Sequence, residues 1–496
     1  MKSYKIKIFD KFFFQTILLI ILLESASLIT FYYPNLQKIL FLIITIILSY
    51  FIIKKIKYGI YILLTELIIG GQGYLFFYEI GNFKLSIRLT IFLIIFFVWF
   101  IKTLKQRNFN FIKNKFFYLV LSLFIIIAIA IIQAILKNRD LLSIFLDSNG
   151  YLYFGLIGIF LTTKINSLKN LNKNKIIQIF LAATSWISIK TILILMLFSY
   201  GLAKVGDNLF YKWIRDTRVG EITQMTYPIY RIFFQSHFYN LLALVLILSL
   251  LFLYTKKELH KNFALWLLLF LNLSTIIISQ SRSFFVSGLL TLAVLFFSLI
   301  FIFKINWKKI IFFVVIIPIL FYSNIIFVNI ILNTQVNILA TRLSDQTNNS
   351  SSISSRSAQI KPLLTEIKKS PFFGHGFAKK ITYKNSDPRI KTTNNPTGSY
   401  TTYSFELGYL DIILKTGILG FLLYMFLIFY LSFKLFLLSK KQRWLFGIIL
   451  GIFSLVITNF FTPYFNHPLG IGFILLSILI YNNTNKKEAV YTSFSK

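Results

Sequence analysis

Residues 401–420 read TTYSFELGYLDIILKTGILG, a stretch that begins as a polar loop and continues as an apolar helix. It carries Glu406, Asp411 and Lys415 at the point where the chain turns apolar. An ionisable side chain costs roughly 2.5–3.5 kcal/mol at the centre of a membrane helix, so each of the three needs a partner or a task. The stretch predicts a membrane helix that is entered from a polar outer segment.

The rest of the chain repeats this apolar pattern. Of its 496 residues, 57% are hydrophobic and 14% are charged, and the mean hydropathy is +0.74. We therefore predict an all-α polytopic membrane protein with about 14 transmembrane helices, since a span takes about 17–25 residues and fewer when neighbours bury it. The predicted spans are 12–31, 38–53, 58–77, 88–101, 116–136, 150–163, 176–200, 238–254, 262–280, 284–303, 310–328, 416–437, 444–461 and 468–482.

The positive charge of the chain indicates its topology. There are 52 Lys and Arg against 16 Asp and Glu, a formal net charge of +36, and short basic loops mark the cytoplasmic side. With a cytoplasmic N-terminus, every short basic cluster falls inside, at 2–11, 54–57, 102–115, 164–175, 256–261, 304–309, 440–443 and 486–487. We predict a multi-pass protein of the cytoplasmic (inner) membrane with both termini in the cytoplasm. Its charge then contacts anionic membrane lipids rather than nucleic acid.

Two predicted outer segments are long and basic, at about 201–237 and 329–403. Long segments cross the membrane largely regardless of charge. The second contains AQIKPLLTEIKKSPFFGHGF, whose apolar spacing predicts short ordered helices. The predicted divisions are an N-terminal bundle of about eleven helices (1–328, with the outer loop 201–237), a large outer segment that ends in an amphipathic helix (329–415), and C-terminal membrane helices with a cytoplasmic tail (416–496).

Charged residues near the outer ends of spans are the first candidates for a site. Glu66 lies within a predicted span, Arg88 begins the next, and Arg231 and Arg282 lie at the outer mouths of later spans. A single Arg there could extend to lipid head groups, and Glu66 could belong to a structural ion pair. Several Arg at one leaflet favour a shared anionic partner, because the guanidinium fork suits phosphate.

Within residues 401–420, the segment 404–415 is predicted to be a helix that starts at Ser404. Asp411 and Lys415 are then four residues apart and pair with each other. Ser404 is the N-cap and Glu406 lies in the first turn, where the helix dipole favours a carboxylate. Glu406 has no local partner, so it either serves the dipole or accepts a proton at the outer surface. Gly417 and Gly420 would allow the helix to bend or to pack closely as the next span begins.

The remaining chemistry-bearing residues are few. His375 lies between two glycines, which permits either a tight turn that presents the imidazole or an ordinary exposed turn. His237 and His467 also fall outside, without the close spacing or carboxylates of a metal site. The chain has no Cys, no Walker A loop and no Asp-x-Asp pair, so we expect neither a metal nor a nucleotide cofactor.

Taken together, these motifs resemble one family. FELGYLDIILKTGILGFLLY (405–424), after an outer segment with SPFFGHGF and GSYTTY, resembles the C-terminal motif of the O-antigen polymerase (Wzy) and O-antigen ligase superfamily. SQSRSFFVSG (279–288) resembles its Ser-Arg-Ser motif. ELIIGGQGYLFF with LSIRLTIF, and YKWIRDTRVGEI with YRIFFQSHF, are similar to upstream motifs of the polymerase-like branch. The similarity extends from about residue 60 to residue 470.

The resemblance implies a GT-C-like glycosyltransferase that uses undecaprenyl-diphosphate-linked oligosaccharide at the outer membrane face, without a metal. A chain-length regulator and a flippase of the same pathway are implied partners. By motif position, Arg88, Arg231 and Arg282 bind the substrate diphosphate, and Glu406, with His375 second, acts as base or orients the acceptor. Supporting roles are expected for Glu66, Arg215, Arg218, Gln235, Ser281 and Tyr403.

Three functions remain open from the sequence. A polysaccharide polymerase of the O-antigen or capsule type extends a lipid-linked glycan, whereas a ligase passes the glycan to another acceptor. Many superfamily members have His-Asn before the final helix, where this chain has YTTYSF, and this favours the polymerase. A lipid-linked oligosaccharide flippase would lack a long ordered outer loop and would show pseudo-repeat halves, so it fits less well.

Overall fold

The computed structural model describes residues 9–494 except 82, 163–172, 207, 226, 254–262, 333–345, 386–389, 391, 393 and 394. The predicted basic cluster at 256–261 and most of the cluster at 164–175 lie outside the described residues. So do the first eight residues of the chain and the first part of the large outer segment.

Most of the described chain is helical, because an apolar helix satisfies its own backbone polar groups, as hydrocarbon requires. The helices are α1 (Lys11–Phe31), α2 (Pro34–Lys54), α3 (Ile56–Ile69), α4 (Ile87–Lys105), α5 (Lys115–Leu136), α6 (Leu141–Ser148), α7 (Ile157–Leu161), α8 (Lys173–Ser199), α9 (Leu209–Asp216), α10 (His237–Leu253), α11 (Phe263–Ser279), α12 (Arg282–Phe301), α13 (Trp307–Leu332), α14 (Gln346–Lys369), α15 (Gly408–Ser439), α16 (Phe446–Thr458) and α17 (Pro468–Phe494). Short 3-10 turns occupy Asn110–Lys113, Asn149–Leu156, Arg443–Leu445 and Tyr464–Asn466.

Three short antiparallel hairpins interrupt the helices. They pair β1 (Phe77–Ile80) with β2 (Phe83–Ser86), β3 (Gly220–Gln224) with β4 (Tyr230–Phe234), and β5 (Ile381–Lys384) with β6 (Ser399–Thr402). All three lie in segments that the topology predicted from the basic loops places on the outer side of the membrane. The predicted all-α fold is therefore confirmed only as a mostly helical one, since the described residues also contain these three strand pairs.

Within the described residues, nine helices are long and apolar enough to cross a membrane, and three apolar helices are shorter. The protein is therefore a multi-pass membrane protein, as predicted. The predicted span at 58–77 is wrong in its second half, because α3 ends at Ile69. The chain then turns through Gly71 (φ +55°) and Gly73 (φ +94°), backbone angles that favour glycine.

Side-chain caps fix where several helices begin. The Asp10 carboxylate accepts from the backbone N–H groups of Phe12 and Phe13 and starts α1. Ser86 Oγ accepts from Leu89 N at 3.3 Å at the start of α4. The first N–H groups of a helix lack internal partners, so these short polar residues set the entry points.

The chain forms two compact units. Unit 1 comprises Met1–Asn108, Thr162–Leu339 and Arg443–Ser454. Unit 2 comprises Phe109–Leu161, Ala340–Gln442 and Leu455–Lys496.

In unit 2, part of the large outer segment is ordered, as predicted. Apolar residues of α14, of the β5–β6 hairpin and of the start of α15 form one buried cluster, which is Leu363, Ile367, Ile381, Tyr383, Phe405 and Leu414. Gln359 Nε2 of α14 donates to the Tyr383 hydroxyl at 3.0 Å. The outer segment is thus packed onto the helix that enters the membrane.

Helix α15 is broken at Gly417, which has φ 71° and ψ −178°. The loop 371–376 supplies partners for the backbone groups that the break frees. Ile418 N donates to Pro371 O at 2.8 Å, and His375 N donates to Leu414 O at 2.7 Å. The bend that the sequence predicts is therefore present, and it is joined to the turn that carries His375.

Gly417→Ala should disrupt this junction. A methyl group there would overlap the Phe372 carbonyl, and the positive φ adds strain of about 1–3 kcal/mol. We expect a clearly lower melting temperature of the purified protein. Gly288→Ala is the control, because its added carbon would meet only Leu241, at 3.6 Å. Equal melting of both variants would contradict the role of Gly417.

Candidate functional site

Arg88 and Glu66 form a buried ion pair in unit 1. Arg88 is 3% exposed, and its Nε lies 2.7 Å from Glu66 Oε2. Its Nη1 donates to Gly71 O at 2.7 Å. A charge in an apolar interior must be paired, and here the two opposite charges pair with each other. Arg88 thereby ties the glycine-rich turn after α3 to the start of α4.

Arg218 and Arg215 lie on the surface of the same unit. Arg218 Nη1 donates to Gln72 Oε1 at 3.4 Å, and its guanidinium lies 5.2 Å from the centre of the Tyr74 ring. Arg215 pairs with its neighbour Asp216 at 2.8 Å, with both side chains about half exposed. Arg218 therefore borders the glycine-rich turn, whereas Arg215 makes a local surface pair.

Arg231 lies on β4 and contacts the hairpin between α11 and α12. Its Nε donates to Ser279 O at 3.1 Å, and its guanidinium lies 4.8 Å from the Phe233 ring centre. Ser281 precedes α12, with its Oγ 2.9 Å from Ser283 Oγ. Arg282 is the first residue of α12 and is half-buried. The structure thus brings Arg231 to the Ser-Arg-Ser turn.

Gln235 connects β4 to α10. It is half-buried, and its carbonyl accepts from Phe238 N at 3.4 Å. His237 follows as a fully buried residue, whose Nε2 lies 2.9 Å from Thr191 Oγ1. His237 Nδ1 accepts from Phe234 N at 3.3 Å. His237 therefore holds the end of the strand that carries Arg231.

An apolar pocket of about 300 Å³ lies among α10, α11, α12 and α13 of unit 1. Its lining is entirely apolar and includes Phe284, Phe285 and Pro318. Phe284 and Phe285 follow Arg282 by less than one helical turn. If Arg282 binds the polar head of a lipid, this pocket provides an apolar surface for the lipid chain directly beside that head.

In unit 2, His375 occupies a tight turn between Gly374 (φ 69°) and Gly376 (φ 81°). Its Nε2 lies 2.7 Å from Glu366 O, and its side chain is 12% exposed. The carbonyl can only accept, so Nε2 donates, and the neutral ring then carries its lone pair on Nδ1. The predicted tight turn is observed, but the imidazole is largely buried and hydrogen-bonded rather than presented at the surface.

The charges around His375 favour the neutral ring. Burial lowers the pKa of His375, and the Lys379 and Lys137 ammonium groups lower it further, against the opposite effect of Glu366. Hydrogen bonds from Lys369 and Lys379 lower the pKa of Glu366 to about 2. Near neutral pH, His375 can therefore accept a proton and Glu366 is ionised.

Glu406 is exposed and has a partner that is distant in sequence. Its Oε2 lies 2.8 Å from Arg356 Nε of α14. The predicted helix start at Ser404 is wrong, because α15 begins at Gly408. Ser404 N instead donates to Thr402 Oγ1 at 3.1 Å, in a turn after β6. Glu406 therefore does not serve the helix dipole, and it is not without a partner.

Asp411 and Lys415 pair at 2.7 Å, as predicted, but within a larger buried network. Lys415 Nζ also lies 2.6 Å from Asp147 Oδ1 of α6, and Asn466 Nδ2 donates to Asp411 at 2.5 Å. Asp147 Oδ2 accepts from Ala378 N at 2.8 Å. The network thus fixes the end of the His375 turn to three other segments of unit 2.

The remaining predicted residue, Tyr403, is half-buried between β6 and Glu406. The sequence analysis missed Asp147, Glu366 and Arg356. Asp147 could have been noticed as an acidic residue in a short segment between two spans. In the described part of the chain, no group of three or more His, Asp and Glu side chains could hold a metal ion.

The fold and these clusters define a multi-pass membrane protein with an ordered, basic outer segment. Residues 263–425 match a family model described as O-antigen ligase. The match confirms the resemblance to the O-antigen ligase and polymerase superfamily and implies glycan transfer of that type. It contains Arg282, His375 and Glu406, whereas Arg88 and Arg231 lie before it. No curated protein matches the chain.

The buried pair of unit 1 makes a direct stability prediction. Glu66→Gln should lower the free energy of unfolding by about 3–5 kcal/mol, because the buried Arg88 guanidinium would lose the carboxylate that neutralises it. Asp216→Asn, which breaks an exposed pair with Arg215, should melt like the wild type. Thermal unfolding of the purified proteins measures both. A Glu66→Gln protein with wild-type melting would show that the pair is not needed.

Proposed function

We propose that the protein is a polysaccharide polymerase of the O-antigen or capsule type. It transfers a growing glycan from undecaprenyl diphosphate to a lipid-linked repeat unit at the outer face of the cytoplasmic membrane. Both termini are cytoplasmic, the spans number about 14, and the bundle is GT-C-like. The observation that carries the proposal is the O-antigen ligase match over residues 263–425, which includes Arg282, His375 and Glu406.

The reaction is a displacement at the anomeric carbon of the donor sugar. The acceptor hydroxyl oxygen forms the new C–O bond, its proton passes to a base, and the bond to the diphosphate breaks with its electron pair. The diphosphate is already a good leaving group. The protein therefore has to orient two substrates and stabilise the charge that grows on the diphosphate, and neither task needs a metal.

Arg231 and Arg282 hold the donor diphosphate in this proposal. Both are half-buried, and Arg231 contacts the turn from which Arg282 extends. A partly desolvated guanidinium stabilises a phosphate more than an exposed one does. Arg88 is fully buried against Glu66 and Gly71, so it acts by fixing the turn after α3. The apolar pocket beside Phe284 and Phe285 takes part of the prenyl chain.

His375 is the base and Glu406 orients the acceptor sugar. The support for this division is that the neutral ring of His375 has a lone pair on Nδ1, fixed by the hydrogen bond from Nε2 to Glu366 O. The Glu406 carboxylate is about half exposed and pairs with Arg356. A solvent-exposed carboxylate held by a guanidinium is a good hydrogen-bond acceptor for sugar hydroxyl groups.

A ligase is the second candidate, because the matched family model is itself described as O-antigen ligase. It would use the same donor site and the same base and would differ in the acceptor. The two functions predict different intermediates in cells that lack the protein. Accumulated lipid-linked single repeats indicate a polymerase, and accumulated lipid-linked polymer indicates a ligase.

Complementation of a deletion strain tests the donor site. Arg231→Ala or Arg282→Ala should reduce polymer by at least about tenfold, since loss of one charged contact to the transition state costs over ~1.4 kcal/mol. The readout is the ladder of surface glycan on a gel, at matched protein levels. Arg107→Ala is the control, because Arg107 is exposed on the predicted cytoplasmic side. Normal ladders from both outer variants would refute the diphosphate role.

The role of His375 predicts a pH dependence. Activity should fall as the pH drops through the pKa of His375, because the protonated ring cannot accept a proton. Glu366→Gln removes the carboxylate whose Oε2 lies 3.9 Å from Nε2, so the pKa of His375 falls further and the acid limb moves to lower pH. The pH profile of transfer by purified protein measures this shift. Glu79→Gln, which breaks an exposed ion pair with Lys84, is the control and should leave the acid limb unmoved. An acid limb that is also unmoved in Glu366→Gln would argue against His375 as base.

A further inference from the structure

A second group of cations surrounds the His375 turn in unit 2. Helix α5 ends at Leu136, and the chain then turns at Asn138 (φ 52°). This turn directs both Lys137 and Arg139 to one place, because Lys137 Nζ donates to His375 O at 3.3 Å and Arg139 Nη2 donates to the same oxygen at 2.9 Å. Two cations thus meet at a single carbonyl group.

Lys379 approaches the same turn from its other end. It lies 2.9 Å from Glu366 Oε2, and Glu366 is the residue whose carbonyl contacts the His375 ring. We call Lys137, Arg139 and Lys379 the second basic cluster. Arg139 also donates to Gly376 O at 3.0 Å, so its guanidinium fastens the loop, while the two lysines flank it.

Each acidic group of this region already has partners. The Asp147 carboxylate binds Lys415 and Ala378 N and also attracts the Arg139 guanidinium, and the Glu366 carboxylate is shared between Lys369 and Lys379. The Asp140 carboxylate, next to Arg139 in the chain, accepts from Ser143 N and Ser143 Oγ. Within the described residues, Lys137 makes no ion pair. The cluster therefore keeps an excess of positive charge at a place that the topology puts on the outer side.

The electrostatics of Lys137 agree with this geometry. Burial lowers the pKa of Lys137, and repulsion from Arg139 and Lys379 lowers it further. Like charges are held close together here although each would be more stable apart. A bound anion would remove this repulsion, which makes the cluster a candidate anion site.

The surroundings of the cluster indicate an anion that is carried on a lipid. Lys137 directly follows a helix long and apolar enough to cross the membrane, and Leu136 at the end of that helix is 76% exposed. On the His375 loop, Phe372 is 63% exposed and Phe373 is 47% exposed. Cations between a helix end and exposed phenyl rings suit a phosphate at the membrane surface.

We propose that Lys137, Arg139 and Lys379 form a second phosphate site, which takes the diphosphate of the lipid-linked acceptor. This inference rests on the proposed function, because a polymerase uses two lipid-linked substrates and Arg231 and Arg282 are assigned to the donor. Lys137 and Lys379 bind the phosphate, and Arg139 positions the loop. The same chemistry would admit a phospholipid head group, so the experiment separates the two sources.

The test uses purified full-length protein in phosphatidylcholine nanodiscs, with farnesyl diphosphate as the probe and calorimetry as the readout. The wild type should bind two equivalents. Lys137→Gln/Lys379→Gln should weaken one equivalent by at least about tenfold, and Lys137→Arg/Lys379→Arg should retain it, because both Arg side chains keep the charge. The matched control is Lys361→Gln/Lys384→Gln, which removes two exposed lysines of the same unit.

The outcomes distinguish this inference from the proposed function. Two equivalents in the Lys137→Gln/Lys379→Gln protein, or a single equivalent in the wild type, would overturn the second site. If anionic phosphatidylglycerol nanodiscs remove the second equivalent from the wild type, the site belongs to head groups and the acceptor assignment is overturned. If Arg231→Gln/Arg282→Gln still binds two equivalents while the lysine variant binds one, the donor assignment fails and the second site stands.

Discussion

The unit 2 site depends on how the broken backbone of α15 is satisfied. A helix that bends sharply at Gly417 frees carbonyl and N–H groups, and in hydrocarbon each such group costs several kcal/mol unless it finds a partner. The loop 371–376 provides these partners by accepting from Ile418 N and donating to Leu414 O and Lys415 O. The same residues that close the break hold His375. The position of the imidazole is thus a consequence of backbone hydrogen bonding, and the large outer segment cannot leave α15 without exposing the break.

Buried charges follow a second constraint, which separates structural from chemical roles. Arg88 is neutralised by Glu66, and Lys415 by Asp147 and Asp411, all at 2.6–2.7 Å and nearly inaccessible. Such a pair is costly to break, and a substrate that bound one member would first have to displace the other. Arg231 and His375, by contrast, are only partly buried. A substrate could therefore reach them without displacing a buried partner, which is the basis of the roles proposed for them.

Much of this architecture could be predicted from sequence, because hydropathy and the position of basic loops are local properties. The Asp411–Lys415 pair is also local, since its members lie four residues apart on one helix. The contacts that build the site are not local. Lys415 and Asp147 are 268 residues apart, and Glu406 meets Arg356 across a loop and a hairpin. The helix start at Gly408 was also not predicted, and there Glu406 N donates to Gln359 Oε1 of another helix at 3.3 Å, a contact that is distant in sequence.

The partner of Glu406 changes what that residue can do. A carboxylate bound to the Arg356 guanidinium is oriented by that pair and keeps lone pairs that can accept further hydrogen bonds. His375 has the opposite environment, because the nearest cations and burial both keep its ring neutral, and the Glu366 carbonyl fixes its proton on Nε2. Deprotonation and orientation of a sugar hydroxyl require a base and a hydrogen-bond acceptor. The proposed division of roles, with His375 as the base and Glu406 as the orienting group, rests on these two environments.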